Sequence, residues 1–247
     1  MLWVVGNWKM VRARPSVDEW LAEAAASPAR EGVHAAVAVP SPYLFRAAAA
    51  LRGSALAWGG QDLSWDEEGA HTGEVSASML AESGASFCIV GHSERRLRFH
   101  ETDAQVAAKA LRAAAAGIRP LVCVGELAVE RREGRHEAVV GAQVDALLAG
   151  LRGDTSGLLL AYEPIWAIGT GVAASPEDAA AMHAVIRTRL GPLAGSVPVL
   201  YGGSVSADNA GEFLSVHGVD GVLVGGGSLQ TASFFAICDA AERCSGV

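Results

Sequence analysis

Several residue types are scarce in this chain, and each shortage excludes something. Cysteine occurs four times in 247 residues, at Cys88, Cys123, Cys238 and Cys244, with no C-x-x-C pair and no histidine at zinc-finger spacing. That usage argues against a disulfide framework or a structural zinc site and favours a reducing compartment. Long apolar runs are missing too: the stretch 47–51 is typical of those present, and a membrane span needs roughly 18 residues. Positive charge is in deficit, with 19 Lys+Arg against 27 Asp+Glu and a formal net charge of −8. Nucleic acid and anionic membrane are therefore not expected as partners. The N-terminus has no basic segment and no cleavage signal and enters a strand-like run at once, so a cytoplasmic location is expected.

The scarcest polar types are lysine and asparagine. Of the 19 basic residues only Lys9 and Lys109 are lysine, and the asparagines are Asn7 and Asn209 alone. One of each falls within three residues near the N-terminus, which suggests that those positions require those side chains.

What is abundant is a core. Hydrophobic residues make up 51% of the chain and charged residues 19%, which is the composition of a folded chain with ample apolar surface to bury. Short β-branched runs at 2–7, 35–39, 55–61, 86–91, 121–125, 158–163, 197–201 and 221–224 alternate with longer Ala/Leu-rich segments of helical period. The strand runs are almost continuously apolar, as in a parallel sheet covered by helices. Helix starts are legible in Ser16-Val17-Asp18-Glu19 and Thr102-Asp103-Ala104-Gln105, which read as capping boxes, and in Ser175-Pro176, which sets proline at the first helical position. Gly117 and Gly191 stand where helices end.

Eight βα units of about 31 residues each, with no linker between them, predict an α/β fold. The expected architecture is a closed (β/α)8 barrel forming one catalytic domain over 1–247. An open doubly wound sheet fits less well, because no G-x-G-x-x-G follows the first strand and no G-x-x-x-x-G-K-[ST] occurs.

In such a barrel, residues just past the strands' C-terminal ends form the active face. Asn7 and Lys9 follow strand 1, Gln61 and Asp62 strand 3, His92 to Arg96 strand 4, Cys123 and Glu126 strand 5, and Glu163 strand 6. Gly202-Gly203-Ser204 follows strand 7 and Gly225-Gly226-Gly227-Ser228 strand 8. Exposed glycine amides at these two ends suit a phosphate, although glycine also serves tight βα corners. Glu163 leaves a buried strand, so desolvation should raise its pKa toward that of a general base; a salt-bridged rim acid fits its position equally well. His92 stands at a strand–helix junction, where the positive helix end favours a neutral ring; a structural histidine fits there too. Lys9 needs a partner in a barrel mouth, and Glu94 is placed to serve. The apolar segment 164–171 has the character of a lid that excludes water or of an ordinary packed loop.

At these residues the chain resembles the triosephosphate isomerase family. The resemblance is carried by Gly6-Asn7-Trp8-Lys9-Met10, by Gly91-His92-Ser93-Glu94-Arg95-Arg96 and by Ala161-Tyr162-Glu163-Pro164-Ile165-Trp166-Ala167-Ile168-Gly169-Thr170-Gly171. Tyr201-Gly202-Gly203-Ser204-Val205 and Leu223-Val224-Gly225-Gly226 follow in order. The resemblance implies a (β/α)8 barrel that isomerises a phosphorylated triose without cofactor or metal. It makes Glu163 the base, His92 the neutral electrophile and Lys9 the stabiliser of the enediolate. Asn7 then positions substrate, Glu94 holds Lys9, and Gly169, Ser204, Gly225 and Gly226 donate N–H groups to phosphate. It also implies a homodimer in which the loop bearing Thr72 reaches the partner subunit. A sister isomerase of four-carbon ketose phosphates is the alternative these residues allow. Val11, Asp62, His100 and Gly227 depart from the family's usual residues without touching the proposed catalytic set.

Other chemistries fit less well. A metal-dependent hydrolase would want more rim histidines than His92. A Schiff-base aldolase could use only Lys9. A glycosidase could draw on Glu94, Glu126 and Glu163, but the glycine-rich ends argue for phosphate instead.

Overall fold

The computed structural model describes residues 1–13, 15–168 and 174–246. Its strands are β1 (Leu2–Asn7), β2 (Val33–Ala38), β3 (Ala57–Gly60), β4 (Phe87–Val90), β5 (Arg119–Val124), β6 (Leu159–Tyr162), β7 (Val199–Tyr201) and β8 (Gly221–Val224). Each expected strand is present, with ends within two residues of the expected ones. All pairs are parallel and the order is sequential, with β8 returning to β1 through Trp3↔Gly221 and Val5↔Leu223, so the sheet is a closed eight-stranded barrel.

The intervening helices are α1 (Val17–Ala26), α2 (Leu44–Leu51), α3 (Ala77–Glu82), α4 (Ser93–Phe99) and α5 (Asp103–Ala115). They continue as α6 (Ala128–Arg132), α7 (His136–Leu151), α8 (Pro176–Leu190), α9 (Ala210–Leu214) and α10 (Thr231–Cys244).

Strand side chains alternate between faces, and both faces here are apolar. Val5, Ile89, Leu121, Leu159, Leu200 and Leu223 fill the barrel interior. Their neighbours Val4, Val90, Val122, Leu160, Val199 and Val222 pack outward against the helices. Double burial is what makes the strands read as continuous apolar runs. It also pins their parity, because a one-residue slip would exchange the two faces.

The helix ends follow their caps. The Thr102 hydroxyl accepts from Gln105 N and the Gln105 side chain from Thr102 N, a complete capping box. Ser175 and Asp178 form another at α8, with Pro176 at its first position. Ser16 accepts from Glu19 N at α1, but Glu19 does not reciprocate, so that expected box is a simple N-cap. Gly117 follows α5 with φ +74° and Gly191 ends α8 with φ +53°. His100 ends α4 at φ +55°, in the left-handed region that favours glycine.

Lys109 has a structural post. It is 1% exposed on α5 and its Nζ lies 2.6 Å from both Asp62 Oδ1 and Glu101 Oε1. Arg95 completes the cluster by pairing with the same two acids. Burial pushes the Asp62 carboxyl up to about 6 against the opposing pull of Lys109. Two cations and two acids thus tie α4 and α5 to the end of β3, a compact arrangement that compensates charges which would be costly alone. All four cysteines are free.

A non-glycine residue in the left-handed region is strained. His100→Gly should therefore stabilise the fold by about 0.5–1 kcal/mol, partly offset by the greater freedom of glycine in the unfolded chain. Urea unfolding at neutral pH checks this, and an unchanged or lowered midpoint would show that the His100 side chain contributes more than its backbone costs.

Candidate active site

The parity of the strands decides what faces the barrel mouth. Val5 points inward, so Asn7 does too; Ala161 points inward, and Glu163 follows two residues later. Leu223 likewise points in, ahead of Gly225. A cleft of about 520 Å³ opens at this end of the barrel, and Asn7, Lys9, His92, Glu163, Ser204, Gly225 and Gly226 all line it. Gly169 belongs to 169–173 and lies outside the described residues, as does the far end of the expected lid. Glu94 sits at the rim, joined to the site through Lys9. Cys123 is inside β5 in the barrel interior, and Glu126 is fully buried on the outer side, so neither faces the cleft as their strand-end positions suggested.

Glu163 is 2% exposed. Its Oε2 accepts from Ser93 N at 2.8 Å, and its Oε1 accepts from Ser93 Oγ at 3.2 Å and lies 3.0 Å from His92 Nε2. Burial pushes this carboxyl up, but His92, the Ser93 amide and Lys9 together pull harder, leaving it below the ordinary carboxylate value. The expected upward shift is thus reversed in the unliganded cleft, because the donors at the start of α4 point at the carboxylate. Space beside it is tight. A Cβ on Gly125 would lie 1.9 Å from the Glu163 carbonyl oxygen, and one on Gly202 would lie 3.2 Å from Glu163 Cγ. Glycine at these two places lets the neighbouring strand ends close on Glu163.

His92 is the N-cap of α4, and its Nδ1 accepts from Glu94 N at 3.2 Å. An accepting Nδ1 carries no proton, so the ring's hydrogen is on Nε2, which points at Glu163. The 3.9 Å approach of Nδ1 to a Glu94 carboxylate oxygen is accordingly not an ion pair.

Lys9 adopts φ +52°. Its N–H donates to Asn7 Oδ1 at 2.9 Å, and its Nζ donates to Glu94 Oε1 at 2.8 Å. The Gln61 amide donates to both the Lys9 and the Ala38 carbonyls at 3.0 Å. Two side-chain amides therefore hold the left-handed backbone that directs the ammonium into the cleft. The occurrence of one of the two lysines and one of the two asparagines on either side of residue 8 reflects this arrangement.

The opposite side of the cleft has a different character. Gly226–Ser228 forms a single helical turn after β8, and the first amides of such a turn have no partner within it. The loop after β7 is shaped by Asn209, whose side chain accepts from Ser206 N at 2.8 Å and donates to Ser204 O at 3.1 Å. Lys9, whose Cε would lie 3.7 Å from a Cβ on Gly225, is the one basic residue lining the cleft among the described residues. Backbone dipoles in such a setting suit an anion with several oxygens.

Sequence reasoning missed three contributors: Ser93, Gln61 and Asn209. Ser93 was legible only as part of a strand-end motif, since its role depends on the direction of the first turn of α4. Gln61 had no signal beyond its strand-end place. Asn209 had one: it is the second of only two asparagines.

The family model described as Triosephosphate isomerase matches residues 2–241. Curated proteins of that name are similar throughout. The one from Thiobacillus denitrificans is 50% identical over 245 residues, covering 97% of this chain and 98% of its own length. Those from Cupriavidus taiwanensis (49%; 96% and 98% covered) and Xanthomonas euvesicatoria (47%; 98% and 98% covered) are alike in extent. With its closed barrel and this agreement over nearly its whole length, the chain belongs to the triosephosphate isomerase family of aldose–ketose isomerases.

Proposed function

We propose that the chain, as one catalytic domain over residues 1–247 acting in the cytoplasm, interconverts D-glyceraldehyde 3-phosphate and dihydroxyacetone phosphate through an enediolate. The observation that carries this reading is the division of one cleft into a proton-transfer side and a side of backbone amides. Glu163, His92 and Lys9 converge on the first, and Ser204, Gly225 and Gly226 line the second.

Glu163 removes a proton from the carbon next to the carbonyl and returns it to the neighbouring carbon. To reach substrate, the carboxylate leaves Ser93 and His92. It then loses the hydrogen bonds that favour its charged form while remaining buried, so its proton affinity rises as substrate arrives. The His92 Nε2–H polarises the carbonyl oxygen and passes a proton between the two oxygens. Lys9 opposes the negative charge that develops there, with Glu94 orienting its ammonium and Asn7 its backbone. Charge stabilisation by groups already in place supplies much of the acceleration in such chemistry. The phosphate rests on the amides of Ser204, Gly225 and Gly226, joined by Gly169, and the segment after Glu163 acts as a lid against water. No step requires a cofactor or metal.

The chain acts as a homodimer in this reading. Met10, Phe45, Trp65, Met79, Leu97 and Phe99 are each at least 39% exposed. They come from the first four βα units, which are consecutive around the barrel, and so share one side of it. The exposed loop bearing Thr72 projects from the same units. Apolar surface gathered in this way suits a partner, and a second copy is the one the family implies.

Three outcomes test the proposal. Purified chain should isomerise D-glyceraldehyde 3-phosphate, and Glu163→Gln should lower kcat by roughly 10²–10⁴-fold with little change in KM; turnover of four-carbon ketose phosphates without turnover of the triose would move the assignment to the sister isomerase. With unphosphorylated glyceraldehyde, which has no titrating phosphate, the acid limb of kcat/KM that belongs to Glu163 should lie below 4.5, the ordinary carboxyl value, because its folded-state pKa is depressed; a Glu163 limb above 4.5 would contradict this. Sedimentation equilibrium at micromolar concentration should give twice the chain mass, and Phe99→Glu should shift the population toward monomer; a monomeric wild type would sink the dimer.

A further inference from the structure

We infer that Arg131, which lies outside the cleft, is a positioning residue for the isomerisation; the inference rests on Glu163 being the base. Arg131 is on α6, three-quarters buried, and does not line the cleft. Its guanidinium is engaged on three sides. Nη1 lies 3.2 Å from Glu126 Oε1, Nη2 pairs with Asp178 Oδ1, and the plane sits over the Trp166 indole with Cζ 4.4 Å from the ring centroid.

Each of these contacts leads to the chain that carries Glu163. Glu126 Oε1 also accepts from the Tyr162 hydroxyl at 3.1 Å and from Trp166 Nε1 at 2.8 Å. Tyr162 immediately precedes Glu163, and Trp166 follows it by three residues. Asp178 belongs to the capping box of α8: its carboxylate accepts from Ser175 N at 3.0 Å and its own N–H donates to Ser175 Oγ at 3.2 Å. One side chain thus joins the residues flanking Glu163 to the start of α8.

The charge arrangement makes this a demanding position. Glu126 is 0% exposed and its Oε2 has no hydrogen-bond partner. Among the described residues Arg131 is the one cation within salt-bridge distance of it. Removing the guanidinium leaves a buried carboxylate uncompensated directly under Tyr162 and Trp166. Relief comes by neutralisation, movement or water entry, and each weakens the hold of Glu126 on the two side chains that bracket Glu163. Since a misplacement of about 1 Å at a reacting group can cost ~10²-fold, the effect should appear in kcat rather than in substrate affinity. The planar fork matters as well as the charge, because a lysine cannot bond two carboxylates and stack on an indole at once.

The test compares Arg131→Met, Arg131→Lys, Asp178→Asn and Trp166→Phe with wild type and Glu163→Gln on D-glyceraldehyde 3-phosphate. Rates are normalised to folded enzyme by circular dichroism. Arg131→Met should lower kcat at least tenfold with KM within twofold, and Arg131→Lys should fall between it and wild type. Combining Arg131→Met with Trp166→Phe should cost less than the product of the single losses, because both act through one contact. A folded Arg131→Met enzyme with wild-type kcat, or single losses that simply multiply, would overturn the inference. If Arg131→Met does not fold, Asp178→Asn decides, since it leaves the Glu126 pair intact and should still reduce kcat; an unchanged kcat there also refutes the clamp. An inactive wild type, or Glu163→Gln with undiminished turnover, would instead overturn the assignment of the base and the inference with it.

Discussion

Closure of the parallel sheet is the constraint on which the rest of the molecule depends. A closed barrel has no edge, so each strand is bonded on both sides and its alternation is fixed by two apolar layers, one inside and one under the helices. Once Val5, Ala161 and Leu223 point inward, Asn7, Glu163 and Gly225 have no other direction to face. Functional groups from residues 7 to 226 meet in one cleft because the strands that bear them share one end and one parity. The apolar packing that holds the fold is thus also what sets the geometry of the polar groups above it.

Two features show how the site manages charge in that setting. On the proton-transfer side, the start of α4 supplies both the Ser93 amide to the Glu163 carboxylate and the Glu94 amide to His92 Nδ1. A single helix N-terminus thereby hydrogen-bonds both side chains and fixes their orientation at the cleft. On the other side, the glycine-rich ends of β7 and β8 present backbone amides where a phosphate would rest, with Asn209 shaping the loop. Lysine enters only at Lys9, and its left-handed backbone is secured by Asn7 and Gln61. The strain and the desolvation are confined to residues that neighbouring amides hold from several directions.

Much of this was legible from the chain alone, for identifiable reasons. The eight strands were readable because double burial leaves a continuous apolar signature, and helix starts because Thr102, Ser175 and Pro176 cap locally. Asn7, Lys9, His92 and Glu163 were readable as strand-end residues in a barrel. Other features depended on distant contacts and left no local trace. Ser16 and Glu19 have the spacing of a capping box but form only half of one. Glu126 has the position of a rim acid but points outward beneath Trp166, because inward parity falls on Cys123 and Gly125. The direction of the Glu163 shift was misjudged from burial alone, since the opposing donors come from a helix some 70 residues away in sequence.

The sequence by itself determined the secondary-structure period, the number of βα units, the strand ends at which polar groups gather and the scarcity that marks Lys9 and Asn7. These are local properties, written in alternation, capping and composition. Tertiary structure alone decided which strand-end groups share the cleft, which nitrogen of His92 carries the proton, and that Lys109 pairs with Asp62 and Glu101 in the interior. It alone placed Arg131 against Glu126, Trp166 and Asp178. Each of these depends on the relative position of residues tens of positions apart, which is set only when the barrel closes and electrostatic neighbours become fixed.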